Sequence, residues 1–143
     1  MLLVTEQKNK QITDSSAAAN IFRSILSAEN KVDQDKEHFW VIGLNTRNIV
    51  SYVELVSLGT LNTTLVHPRE VFRMAIIKAV ASVMLGHNHP SGSSEASLQD
   101  EQITRQLKAA GDILGIEVMD HIIIANKKEE YFSFRSNSFL YRK

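Results

Sequence analysis

The chain has no cysteine among its 143 residues, and this absence excludes disulfides, thiolate zinc sites, iron–sulfur clusters and cysteine nucleophiles. Histidine and carboxylate side chains remain as the candidate metal ligands. The formal net charge is zero, with 16 Lys and Arg against 16 Asp and Glu. The chain therefore lacks the broad positive field that draws many proteins to nucleic acid or anionic lipid.

Long apolar runs are also missing. The apolar run at residues 1–4 is far shorter than that of a signal peptide, and no stretch approaches the ~18 apolar residues of a membrane span. We therefore expect a cytoplasmic protein without a membrane partner. Hydrophobic residues make up 43% and charged residues 22%, which is typical of a globular chain of one domain. We expect a flexible lead-in over residues 1–14 and a single domain over residues 15–143.

Hydrophobic periodicity predicts the order helix, hairpin, helix, strand, helix, strand, strand. Ser15 or Ser16 is expected to cap the first helix, and Pro68 to begin the second. Strands are predicted over residues 38–44, 49–58, 81–86, 116–125 and 130–134, and the third helix is predicted over residues 97–114. Local antiparallel pairing together with helical crossovers predicts an α/β (α+β) fold in which helices flank a mixed β-sheet.

Two histidines lie at the end of a predicted strand. His87 and His89 are two residues apart, so strand alternation places both imidazoles on one side and Asn88 on the other. Asp100 follows in the first turn of the third predicted helix. A catalytic zinc site commonly takes three such ligands and leaves the fourth position to water. His87, His89 and Asp100 match that count.

Helix capping explains part of the same segment. Ser97 and Asp100 form a Ser-x-x-Asp pattern at a helix start, where a hydroxyl caps the helix and an acid balances the helix dipole. The capping and metal-binding roles are compatible, since a side chain that caps the helix can still face the site.

The array His87-x-His89-x7-Ser97-x2-Asp100 is similar to the signature of the JAMM (MPN+) metalloproteases. The run His87-Asn88-His89-Pro90-Ser91-Gly92 resembles the RadC family within that superfamily. Flanking segments resemble RadC sequences in the same order, namely Lys36–Trp40, Gly59–Asn62, Val66–Phe72 and Asp120–Ile124. The resemblance spans roughly residues 15–135, which is nearly the whole chain.

The resemblance implies a single JAMM/MPN-like domain with a cytidine-deaminase-like, three-layer arrangement. It also implies a zinc-dependent hydrolase in which His87, His89 and Asp100 bind Zn²⁺. A glutamate on an upstream strand would act as general acid and base, and Ser97 would stabilise the oxyanion of the tetrahedral intermediate.

Spacing alone does not choose the glutamate. The candidates are Glu37, Glu54, Glu70 and Glu95. Similarity to the superfamily favours Glu37, which stands just ahead of the first predicted strand, with Glu54 next. A solvated charge at a strand edge is the alternative explanation of Glu37. His38 and His121 could line the cleft, but a structural role is the simpler interpretation of each.

The first functional hypothesis is a metallohydrolase that cleaves peptide or isopeptide bonds in a peptide or protein-conjugate substrate. The alternative is a DNA-repair-associated or nucleic-acid-associated accessory domain with a structural or vestigial metal site. RadC proteins commonly carry a helix-hairpin-helix region before this domain, whereas about fifteen residues precede the first predicted helix here, so support for a DNA partner is weak. The intact ligand array argues against a pure protein-interaction module. The sequence leaves open whether two copies form a homodimer through an exposed strand.

Overall fold

The computed structural model describes residues 2–4, 6–59, 66–126 and 128–141, and these residues form a mixed sheet with helices. In chain order the elements are β1 (Leu2–Val4), α1 (Ser15–Ser27), α2 (Lys31–Gln34), β2 (Glu37–Leu44), β3 (Val50–Gly59), α3 (Pro68–Ile77), β4 (Ser82–His89), α4 (Leu98–Leu114), β5 (Glu117–Ala125), β6 (Tyr131–Ser133), α5 (Phe134–Asn137) and a 3₁₀ turn at Phe139–Tyr141. No described helix is both long and apolar enough to cross a membrane.

The six strands lie in the order β1-β3-β2-β4-β5-β6. The pairing of β4 with β5 is parallel, with α4 as the crossover between them, and the other pairings are antiparallel. The predicted hairpin is present as β2 and β3. Its turn is held by Asn45, whose side-chain oxygen accepts from the backbone N–H groups of Arg47 at 2.8 Å and Ile49 at 3.1 Å. The predicted mixed sheet is therefore confirmed.

Strand alternation gives the sheet two buried faces. One face packs against α1. At the centre of this contact, Trp40 of β2 and Phe22 of α1 stack with ring centroids 5.4 Å apart. The other face packs against α3 and α4, with Phe39 and Leu85 from the sheet meeting apolar residues of both helices. Helices thus cover both faces, in keeping with a JAB/MPN-like fold, and the second face carries the candidate site.

Some local details differ from the sequence-based expectations. Asp14, not Ser15 or Ser16, caps α1, because its carboxylate accepts from the backbone N–H of Ala17 at 2.8 Å. The charged stretch before β2 contains the single turn α2, which Asn30 caps. The segment between the second predicted strand and the second predicted helix, where the sequence predicts a loop, falls largely on residues 60–65, which lie outside the described residues.

Strand β4 is longer than predicted. It was expected to end at Gly86, but it continues to His89. Pairing on both sides accounts for the extension, since His87 is opposite Phe39 of β2 and His89 is opposite Ala125 of β5. The histidine pair is therefore held inside the sheet rather than in a loop.

The segment before α1 also makes contacts that the sequence did not lead us to expect. Strand β1 pairs with β3. Ile12 is buried, and its backbone N–H donates to the carbonyl of Asn48 at 2.8 Å. The boundary between lead-in and domain at residue 15 stays a prediction.

Candidate metal centre

His87 and His89 lie at the end of β4 on the face covered by α3 and α4. Alternation along the strand places both imidazoles on this face and Asn88 on the other, as the spacing predicts. The side chain of His87 is fully buried, whereas that of His89 is 17% exposed. The pair is thus reached from solvent on the His89 side.

Asp100 reaches the histidines from the first turn of α4. A capping box fixes this turn: the Ser97 hydroxyl accepts from the Asp100 backbone N–H at 3.1 Å, and the Asp100 carboxylate accepts from the Ser97 backbone N–H at 2.9 Å. The expected cap is confirmed. The carboxylate caps the helix and faces the histidines at the same time, since Oδ2 both accepts from Ser97 and lies against His89 while Oδ1 faces His87.

The three side chains converge on one point. His87 Nε2 lies 2.9 Å from His89 Nε2 and 3.1 Å from Asp100 Oδ1, and His89 Nε2 lies 3.1 Å from Asp100 Oδ2. Ligands about 2.0–2.1 Å from a tetrahedral zinc ion are about 3.3 Å from one another. The observed separations are close to that value, and this group could hold a metal ion.

The hydrogen-bonding state of His89 favours a cation. Its Nδ1 lies 2.9 Å from the carbonyl oxygen of Ser93, which only accepts, so Nδ1 carries the hydrogen. In the neutral imidazole, Nε2 is then a bare acceptor that faces the carboxylate of Asp100. A proton or a metal ion is therefore needed between these two acceptors. An imidazole nitrogen and a carboxylate oxygen are ligands that a divalent metal prefers.

The pKa shifts of Asp100 and His89 also favour a cation between these two side chains. Burial alone would raise the pKa of Asp100, but the neighbouring imidazoles of His87 and His89 outweigh it and hold the pKa well below its usual range. Burial alone would lower the pKa of His89, but the hydrogen bond and charge of Asp100 raise it. The carboxylate is therefore ionised and attracts a positive charge to this point.

Glu37 begins β2 beside the histidine pair. The antiparallel ladder of β2 and β4 ends at the pair Phe39 and His87, and Glu37 lies two residues beyond Phe39, toward the end of β4 that carries His89. Strand alternation places Glu37 on the same face of β2 as Phe39. The negative charge of Glu37 contributes to the raised pKa of His89, after the larger effects of burial, Asp100 and the Ser93 carbonyl. Glu54 is almost fully buried on β3, opposite Val41, and is thus one strand further from the histidines.

The remaining two candidate glutamates are placed differently. Glu70 lies in the first turn of α3 and pairs with Arg73 at 3.4 Å. Glu95 is exposed in the loop before α4, where its backbone N–H donates to the hydroxyl of Ser93 at 3.2 Å. Among the four candidates, Glu37 is thus the one that begins the strand next to β4 and whose charge acts on His89.

His121, for which the sequence offered either a place in the cleft or a structural role, lies buried behind His87, a contact that the sequence did not predict. Its Nε2 lies 2.7 Å from Nδ1 of His87, and its Nδ1 lies 2.5 Å from the hydroxyl of Thr104. Phe134 stacks on the His121 ring with centroids 5.0 Å apart. Burial lowers the pKa of His121 well below its usual value, so its imidazole is neutral. The only sequence signal for Thr104 is its position one helical turn after Asp100.

The side chain of Asn88 lies on the face of β4 opposite to the two imidazoles. Its side-chain oxygen accepts from the backbone N–H of His38 at 2.7 Å, and its amide donates to the carbonyl of Lys36 at 3.0 Å. These two backbone groups stand on either side of Glu37. His38 itself is buried here, with its Nε2 2.7 Å from a carboxylate oxygen of Glu29, in line with the structural role expected for it.

Comparisons with known proteins agree with this geometry. The sequence profile of the RadC-like JAB domain matches residues 12–139. A UPF0758 protein of Rubrobacter xylanophilus is 45% identical over 134 residues, covering 87% of this chain and 58% of that protein. A UPF0758 protein of Caldanaerobacter subterraneus is 39% identical over 140 residues, covering 94% of this chain and 58% of that protein. The chain therefore spans less than two thirds of the length of these relatives.

Proposed function

The chain belongs to the family of RadC-like JAB domains, and from this premise we propose that it is a zinc-dependent hydrolase of peptide or isopeptide bonds. The observation that carries the proposal is the convergence of His87, His89 and Asp100 with ligand atoms 2.9–3.1 Å apart. Two histidines and one carboxylate form a common ligand set of catalytic zinc sites, which keep a position for water. A zinc ion held there would lower the pKa of a water molecule to about 7.

Glu37 is the proposed general base and acid. It begins β2 near His89, on the solvent-accessible side of the ligand group, so its carboxylate can take a proton from the attacking water and later give it to the leaving amine. Glu54 is the competing candidate. Its burial on β3 opposite Val41 makes it a poorer choice, because proton exchange with substrate needs access to the ligand group.

Ser97 is the proposed hydrogen-bond donor to the oxyanion. Its hydroxyl oxygen accepts from the backbone of Asp100, so the hydroxyl hydrogen remains available to a substrate. A donor at this point stabilises the negative charge that develops on the attacked carbonyl oxygen. The proposed substrate class comes from the resemblance to the JAMM metalloproteases: an amide carbonyl in a peptide, or in a lysine side-chain linkage between two proteins.

Cleavage assays on the zinc-loaded protein test the proposal. We would incubate it with a peptide library and with lysine-linked protein conjugates, and detect new termini by mass spectrometry. The expected result is zinc-dependent cleavage that Glu37→Gln abolishes while the zinc content stays at one per chain. Glu70→Gln, a change of the same type on the surface of α3, is the matched control and should leave cleavage intact.

Two outcomes would contradict the proposal. A protein that binds no zinc after reconstitution has no hydrolytic centre of this kind. If Glu54→Gln abolishes cleavage and Glu37→Gln does not, the metal site stands but the assignment of the base is wrong.

A further inference from the structure

We propose that Thr104 and His121 are positioning residues that hold His87 in the tautomer whose Nε2 faces the metal. The inference rests on the proposed metal site. It starts from a continuous line of hydrogen bonds: the carbonyl of Asp100 to the Thr104 hydroxyl (2.7 Å), that hydroxyl to His121 Nδ1 (2.5 Å), and His121 Nε2 to His87 Nδ1 (2.7 Å). Thr104, His121 and His87 are all fully buried, so water does not compete for these bonds.

The direction of every bond in this line follows from its first member. A backbone carbonyl only accepts, so the single hydroxyl hydrogen of Thr104 goes to Asp100. The hydroxyl oxygen must then accept from His121, which places the ring hydrogen of His121 on Nδ1. The Nε2 atom of His121 is left as an acceptor, and the hydrogen between the two rings therefore sits on Nδ1 of His87. Nε2 of His87 carries no hydrogen and is free to bind a cation.

An imidazole partner for His87 is unusual. A metal-binding histidine most often donates its second ring N–H to a carboxylate, a backbone carbonyl or water. Here the acceptor is another imidazole, and aromatic rings hold that imidazole in place: Phe134 stacks on it, and Phe39 packs against it edge to face with ring centroids 5.5 Å apart. Its orientation is thus set by packing as well as by Thr104.

The line also joins the two elements that supply the ligands. Thr104 lies one turn after Asp100 on α4, whereas His121 lies on β5, which pairs with β4 in parallel. The hydrogen bonds that lead from Asp100 to His87 thus pass through His121 on β5, the strand next to β4. Loss of the hydroxyl would leave Nδ1 of His121 without its acceptor. The His121 ring could then carry its hydrogen on Nε2, donate to His87, and force the hydrogen of His87 onto the metal-facing nitrogen.

Thr104→Val tests the inference, because it removes the hydroxyl and keeps the shape. We would measure the Zn²⁺ dissociation constant by competition with a chromophoric chelator, and the visible absorption spectrum of the Co²⁺-substituted protein. Changes around metal ligands commonly weaken metal binding by about 10–100-fold, and we expect about 10-fold weaker binding with an altered cobalt spectrum. Thr104→Ser keeps the hydroxyl and should retain the wild-type affinity and spectrum.

A second measurement keeps the inference testable if Thr104→Val does not fold. In the zinc-loaded wild-type protein, long-range ¹H–¹⁵N correlation spectra should show the ring hydrogen of His121 on Nδ1. His121→Gln should retain more zinc affinity than His121→Leu, since the glutamine side chain can still accept from His87.

The outcomes separate this inference from the proposed function. If wild type binds zinc and Thr104→Val matches it in affinity and cobalt spectrum, the positioning role is wrong and the metal site stands. A hydrogen on Nε2 of His121 in wild type would also overturn the inference. If wild type binds no zinc, the proposed function fails, and the premise of this inference fails with it.

Discussion

Replacement of Asp100 by asparagine separates its two roles in the structure. The amide keeps the shape of the carboxylate and can still accept from the Ser97 backbone N–H, so the helix cap persists. It removes the negative charge that lies 3.1 Å from both His87 Nε2 and His89 Nε2. We therefore expect Asp100→Asn to fold, and to lose most of its affinity for zinc.

The size of the effect can be worked out for thermal unfolding. Zinc at about 1,000 times its dissociation constant stabilises the wild-type protein by about 4.1 kcal/mol. A chain of this length has an unfolding entropy of about 0.3 kcal/mol/K, so the melting temperature should rise by about 14 °C. If loss of the carboxylate weakens binding about 100-fold, the same zinc concentration contributes only about 1.4 kcal/mol, or about 5 °C.

Differential scanning calorimetry with chelator and with zinc measures both shifts. Asp112→Asn is the matched control: Asp112 lies near the end of the same helix, its side chain is 64% exposed, and it pairs with Lys108 at 3.9 Å. This variant should show the full zinc-induced shift. Ser97→Ala should lower the stability of the metal-free protein by about 1 kcal/mol through the cap. A full zinc-induced shift in Asp100→Asn would refute the assignment of this carboxylate as a ligand.

Three further predictions concern the surroundings of the site. The zinc-induced stabilisation should be larger at about pH 7.5 than at about pH 5.5, because Asp100 raises the pKa of His89 against the effect of burial, and that proton must leave before zinc binds. Gly86→Ala should cost about 1–3 kcal/mol in urea unfolding, since a Cβ there collides with the buried ring of Phe22; an unchanged midpoint would contradict this packing. Asn88→Ala should cost about 1–3 kcal/mol, since it leaves the buried backbone N–H of His38 without its acceptor, and zinc titration should still give one ion per chain.

The sequence predicts most elements of the fold because their signals are local. Ser97 and Gly115 mark the two ends of α4, and the structure has a capping box at the first and a left-handed residue with φ of 74° at the second. The end of β4 has no such signal. Its last residues are held in the strand by pairing with β2 and β5, which are distant in sequence, so no local pattern could place its end at His89.

The candidate site divides in the same way. His87, His89 and Asp100 lie within one short segment, where strand alternation and a helix start are enough to bring them together. His121 is 34 residues from His87 and meets it through the parallel register of β4 and β5. A parallel register has no turn to fix it in the sequence, and this is why the contact behind His87 emerges only in three dimensions.

The run His87-Asn88-His89 serves both faces of the sheet, and this explains why the site is built on a central strand. Two imidazoles point to one face and meet Asp100, while the amide of Asn88 points to the other and bonds the backbone on either side of Glu37. A slip of one residue in the pairing of β2 and β4 would exchange the faces. The histidine ligands would then lie on the opposite face of the sheet from Glu37, the proposed base. The same strand register that orients the histidines therefore also sets the position of Glu37.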